Sequence, residues 1–270
     1  MNFSSNSIRL YEELASIAKN RSLNVPAAHN SLFQPSANTE EYINKLYIKQ
    51  LGSENPAQRP GDQNCQYCEN FHLETAKSID KSADISLGKK LEDCFQEFIE
   101  ERFNSIGVEI QCLRADSERK NMPDFKIVRK SDNKILLYFE FKAIFRPYLT
   151  IKYTVDRQFE CYSNSLTLDL SNGKKLQTQR DYVVNELGVD KVFYVYWYDL
   201  PCIKGVYWLP SQQVYDIMDI QIPYDRVHKP GDFNKYGKKI GSTNKLYLPL
   251  NKMADLGTFL RRIYNWNQTK

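Results

Sequence analysis

Histidine is scarce in this chain: His29, His72 and His228 are the only three in 270 residues. No Gly-x-Ser-x-Gly segment accompanies them, so nucleophilic catalysis by a serine–histidine pair finds little support. A Gly-rich phosphate loop ending in Gly-Lys-Ser/Thr is also missing, which argues against NTP hydrolysis. No apolar run approaches the roughly 20 residues that a membrane-spanning helix needs. The opening segment MNFSSNSIRLYEELASIAKN lacks a basic-then-apolar leader pattern, and the expected compartment is the cytoplasm. The six cysteines (Cys65, Cys68, Cys94, Cys112, Cys161 and Cys202) are mostly scattered singly, which suits reduced thiols rather than a disulfide framework. Internal repeats and low-complexity tracts are absent too.

What is present suffices for a sizeable core, with 41% hydrophobic and 26% charged residues. The net charge of +4 is mild but uneven. From Arg226 to Lys270 ten Lys or Arg face two acidic residues, Asp232 and Asp255, so the rest of the chain is net acidic. A polyanion held by one basic face, with an acidic site elsewhere, would produce this asymmetry. An unevenly charged solvated surface would produce it equally well.

Residues 1–50 read as helical, in IRLYEELASIAKN and TEEYINKLYIKQL, and are followed by a polar linker, GSENPAQRPGDQN (52–64). The pattern predicts a helical N-terminal extension over 1–80 and a core over 81–270. That core opens on an amphipathic helix at 87–107, capped by Ser86 and ended by Gly107. Three strand-like runs follow at 108–115, 124–130 and 134–143, then a helix at 175–188. Strands at 191–199 and 205–209 and a helix at 251–264 complete the chain. This order, αβββαβ, predicts an α/β fold with a mixed central sheet flanked by helices and a parallel crossover before 191–199.

The chemistry concentrates on the hairpin. In KILLYFEFKA, alternation puts Leu136, Tyr138, Glu140 and Lys142 on one face. Two charged groups ending so apolar a strand are costly to bury unless something meets them. A short turn at Ser131-Asp132-Asn133 brings Asp124 beside or directly across from Glu140. Two carboxylates and an ammonium at one site suit a hard divalent cation such as magnesium, with Lys142 positioned to handle an attacking water or a phosphate charge.

Pro123-Asp124 followed by Glu140-Phe141-Lys142 on the next strand resembles the signature of the PD-(D/E)XK nuclease superfamily. Gly88-Lys89-Lys90-Leu91-Glu92 is similar to the Gly-x-x-x-Glu helix start of some members, notably archaeal junction resolvases. The resemblance implies a restriction-endonuclease-like core. It also implies Asp124 and Glu140 as ligands of Mg2+ (or Mn2+), joined by the Phe141 carbonyl and, through water, by Glu92. Lys142 would be the catalytic lysine. Stand-alone length and the absence of a helicase or ATPase segment favour a type II restriction endonuclease, a prokaryotic homodimer cutting double-stranded DNA. A structure-selective repair, recombination or mobile-element nuclease is the alternative, and a non-catalytic DNA-binding protein on the same fold is a second.

Two basic segments are candidates for DNA contact. RADSERKN (114–121) offers Arg114, Ser117, Arg119 and Lys120, and FNKYGKKIGSTNK (233–245) offers Lys235, Lys238 and Lys239. Either could instead be a solvated loop. Cys65, Cys68 and His72 have the spacing of zinc ligands, but no fourth ligand is evident, and two ordinary thiols fit better than structural zinc.

Overall fold

The computed structural model describes residues 7–23, 81–119, 121–144, 166–169, 175–199, 204–220, 224–225, 244–248 and 253–269. The helix expected at 39–51, the linker and the boundary near residue 80 lie outside these. So do Cys65, Cys68, His72, Lys120, Lys235, Lys238 and Lys239.

The described residues form a mixed α/β structure. Helices are α1 (Ser7–Asn20), α2 (Lys81–Asn104), α3 (Lys175–Tyr182), α4 (Ser211–Ile220) and α5 (Leu256–Gln268). Strands are β1 (Ile110–Arg114), β2 (Phe125–Arg129), β3 (Ile135–Ile144), β4 (Leu166–Asp169), β5 (Val192–Asp199), β6 (Lys204–Pro210), β7 (Tyr224–Asp225), β8 (Asn244–Leu248) and β9 (Ala254–Asp255). Six of them make an open sheet ordered β1-β2-β3-β5-β6-β9, and β4-β8-β7 make a smaller one. Every pairing in the large sheet is antiparallel except β3 with β5, which are parallel as the crossover predicts.

Helices cover both faces of the large sheet. On one, Phe95 of α2 stacks on Phe141 at 4.7 Å and meets Phe139 edge-on at 5.8 Å, while Phe259 of α5 meets Phe139 at 5.7 Å. Each buried phenylalanine contributes on the order of 1.5–3 kcal/mol. Leu10, Tyr11, Leu14 and Ala18 of α1 join this same cluster. The Tyr11 hydroxyl also donates to buried Asp199 Oδ1 at 2.9 Å. The other face gathers Tyr138, Tyr194, Tyr196 and Tyr198 with Val214, Tyr215 and Ile217 of α4.

β1 is an edge strand, and an edge leaves backbone groups unpaired. At Cys112, the middle of the strand, helix α2 supplies the partners: Gln96 Nε2 donates to the Cys112 carbonyl at 2.5 Å, and Glu100 Oε1 accepts from the Cys112 amide at 2.8 Å. Gln96 and Glu100 are one helical turn apart, so both reach the same residue.

Two local expectations are corrected. Helix α2 begins at Lys81, so Ser86 does not cap it and Gly88 lies inside it rather than at its start. The helical pattern simply continues upstream through KSADI. At the other end Gly107, with φ +72, closes the turn after Asn104 as expected, a conformation that L side chains rarely adopt. Second, Leu136 does not share the face of Tyr138, Glu140 and Lys142. The β2–β3 register shifts from Ile127↔Leu137 to Val128↔Ile135, leaving Leu136 as an extra residue. That bulge turns its side chain into the phenylalanine cluster.

Candidate active site on the β2–β3 hairpin

The turn forms as its residues dictate. Asn133 takes φ +56, a left-handed conformation asparagine tolerates, and Asp132 Oδ1 accepts the Lys134 amide at 3.1 Å. Phe125 pairs with Phe139, so Asp124, one step beyond, comes level with Glu140. The phenylalanines point into the aromatic cluster, their rings 5.0 Å apart, and alternation sends Asp124, Glu140 and Lys142 to the opposite face.

Asp124 is fixed from three directions. The preceding residue, Pro123, is buried. The Asp124 carbonyl accepts the Ala115 amide at 2.9 Å, and the Asp124 carboxylate Oδ2 accepts the Phe141 amide at 2.8 Å. This last bond joins the two halves of the motif directly. Glu140 is positioned by a residue that sequence reasoning missed, Gln179 of α3. Its Nε2 donates to Glu140 Oε2 at 2.8 Å, and its Oε1 accepts from the Tyr194 hydroxyl at 3.1 Å. Gln179 is 3% exposed, and its amide also approaches the Met122 carbonyl at 3.4 Å. No local pattern marks it, since the link spans 39 residues. A buried glutamine beside a half-buried carboxylate is the only signal, and it needs the fold.

Lys142 is half-buried and lies two residues beyond Glu140 on the same face. In the parallel pairing with β5, Glu140 aligns with Tyr194 and Lys142 with Tyr196. Burial, and then neighbouring tyrosine and Glu140 charge, push the Tyr194 and Tyr196 hydroxyls well above the usual range, which keeps both protonated.

Glu92 and Arg114 are brought to one another. Arg114 Nη1 donates to Glu92 Oε2 at 2.5 Å and Nη2 to Asp93 Oδ1 at 3.1 Å, with the guanidinium 4.4 Å from the Phe125 ring centroid. Among the described residues no three His, Cys, Asp or Glu side chains gather as one metal-binding group, so Glu92 does not complete a direct carboxylate triad. Ser117 donates to the Arg114 carbonyl at 3.2 Å. Arg119 is exposed, 4.4 Å from the Tyr182 ring centroid and 3.6 Å from Glu186. Through Arg119 the segment before Pro123 meets α3 and the turn of π-helix that extends it (Val183–Leu187).

The donors at Asp124, Glu140 and the Phe141 carbonyl are all oxygen. They fit a hard cation such as Mg2+, which takes one or two protein carboxylates and fills its shell with water and phosphate oxygens, better than they fit zinc. No helix among the described residues is long and apolar enough to cross a membrane. No family model, curated protein or solved structure matches the chain.

Proposed function

We propose that this protein is a metal-dependent endodeoxyribonuclease of the PD-(D/E)XK type, acting on double-stranded DNA as a type II restriction endonuclease. The observation that carries the reading is the Asp124 carboxylate bound to the Phe141 amide, with Glu140 level with Asp124 and Lys142 two residues further along. The elements built on the large sheet run α2-β1-β2-β3-α3-β5, with β4 of the smaller sheet inserted between β3 and α3; this order, with β3 parallel to β5, supports a restriction-endonuclease-like core.

Asp124, Glu140 and the Phe141 carbonyl would hold the Mg2+, with Glu92, kept in place by Arg114, as an outer ligand through water. The ion, when bound, supplies Lewis acidity at the attacked phosphate and lowers the pKa of water. The chain's own residues do the rest. Asp124 is oriented by the Phe141 amide and Glu140 by Gln179, so neither carboxylate must reorganise when substrate arrives. Lys142 Nζ orients the nucleophilic water and offsets charge building on the phosphate oxygens. A homodimer would present one such site to each DNA strand. The uneven charge of the chain, basic beyond Arg226, suits the polyanion.

The test is incubation of purified protein with plasmid DNA in magnesium or manganese and in EDTA, beside Lys142→Ala. Discrete fragments that require metal and Lys142 are expected, whereas a metal-dependent smear would leave a less specific nuclease. Equal activity with and without chelator, or a fully active Lys142→Ala, would overturn the mechanism.

A further inference from the structure

The face that carries Glu140 and Lys142 is floored by tyrosines of the neighbouring parallel strand. Of these, Tyr194 aligns with Glu140 and spends its hydroxyl on Gln179 at 3.1 Å. Tyr196 aligns with Lys142. Its side chain is 1% exposed, and its hydroxyl has no hydrogen-bond partner among the described residues. Burying a hydroxyl without a partner opposes folding, and native structures rarely keep one without a reason.

We propose that the Tyr196 hydroxyl is a further catalytic group of this site, donating a hydrogen bond to a non-bridging oxygen of the phosphodiester held between Glu140 and Lys142. The inference rests on the nuclease reading and adds a substrate contact to it. Adjacent strands lie about 4.8 Å apart, and tyrosine and lysine side chains have similar reach. Direct register on one face therefore makes the two side chains neighbours. Glu140 and Lys142 are only partly buried, so a substrate group can enter between them; the Tyr196 hydroxyl lies deeper, out of solvent, and a phosphate oxygen meets it by displacing the atoms that now cover it. The ligand chemistry follows from the donor. A hydroxyl kept protonated by burial, beside an ammonium, suits an anionic oxygen. In a site closed to water such a bond gains strength as charge accumulates on the phosphate, which assists the transition state more than the ground state.

The experiment compares wild type, Tyr196→Phe and Lys142→Ala for plasmid cleavage in Mg2+, duplex binding in Ca2+ and thermal midpoint. Tyr196→Phe should lose about 100-fold in kcat, as an oxyanion donor does, while binding DNA as wild type does and melting no lower. Wild-type cleavage by Tyr196→Phe, with Lys142→Ala inactive, overturns this proposal alone. A lowered midpoint or an unfolded variant overturns it too, because the hydroxyl would then serve the fold. If wild type and Lys142→Ala are indistinguishable, the nuclease reading fails first and carries the proposal with it.

Discussion

Gln179 Nε2 donates to Glu140 Oε2 at 2.8 Å while its Oε1 accepts from Tyr194 at 3.1 Å, so one buried amide ties the candidate catalytic strand to helix α3 and to β5. Asp124 accepts a backbone amide, and Glu140 accepts this side-chain amide. Gln179→Ala should therefore lower folding stability by about 1–3 kcal/mol, since it strips a donor and an acceptor from buried neighbours. On the nuclease reading it should also slow cleavage. Gln179→Glu keeps the shape but sets a second carboxylate against the first, and it should be the less active of the two at neutral pH. Urea denaturation and single-turnover cleavage check both outcomes. Wild-type stability in Gln179→Ala would mean the bridge is incidental.

Gly88 lies inside α2, and a Cβ built on it meets nothing within 4 Å. Neither packing nor backbone conformation requires a glycine there. Gly88→Ala should stabilise the protein by about 0.5–1 kcal/mol, the ordinary helix-interior difference between the two residues. The urea midpoint reads this directly, and a drop in it would point to a close approach absent from this fold.

How far the sequence was legible follows from the range of each interaction. The hairpin was readable because its turn residues and alternation are local, and the pairing of Phe125 with Phe139 agrees with the loop-length argument. Its bulge was not readable, because displacing Leu136 depends on a phenylalanine cluster assembled from α2, β3 and α5. The strands at β4 and β8 were overlooked although Leu166 and Leu168 alternate with Thr167 and Asp169, and Leu246 and Leu248 flank Tyr247; the runs are short, and what joins them is the distant pairing of Leu166 with Leu248. Helix α4 was overlooked, although Val214, Tyr215 and Ile217 do lie on one buried stripe. For α5, Asp255 caps the start by accepting the Thr258 amide at 2.8 Å, so the helix begins later than its apolar pattern does.

The buried tyrosines predict behaviour at high pH. Burial raises Tyr194 and Tyr196 well above their usual range and pushes Tyr215 up to about 12. In the unfolded chain all three ionise near ~10. Above that value the unfolded state binds fewer protons than the native state, so stability falls as pH rises; below it the contribution is fully present. Equilibrium unfolding should show a loss of stability that begins near ~10 and steepens beyond it. Tyr196→Phe should flatten that slope, whereas an unchanged slope would mean the ring is accessible to base.

Chemistry and DNA binding should separate under mutation. Asp124→Ala, Glu140→Ala and Lys142→Ala should each abolish most cleavage, because these groups act at the metal and the attacked phosphate. Affinity should not follow activity. Lys142 is one cation among many, so Lys142→Ala should bind duplex DNA within about threefold of wild type. Lys235, Lys238 and Lys239 belong to the basic segment beyond Arg226, and replacing all three by alanine should weaken binding alike for every sequence. Each phosphate that is no longer neutralised lowers the slope of log affinity against log salt by about 0.9, so the triple variant should reduce it by up to ~3. Titrations of a labelled duplex across a salt series measure that slope. An unchanged slope would place the three lysines in solvent, and the DNA face would then have to be sought around Arg119 and the segment that leads into Pro123.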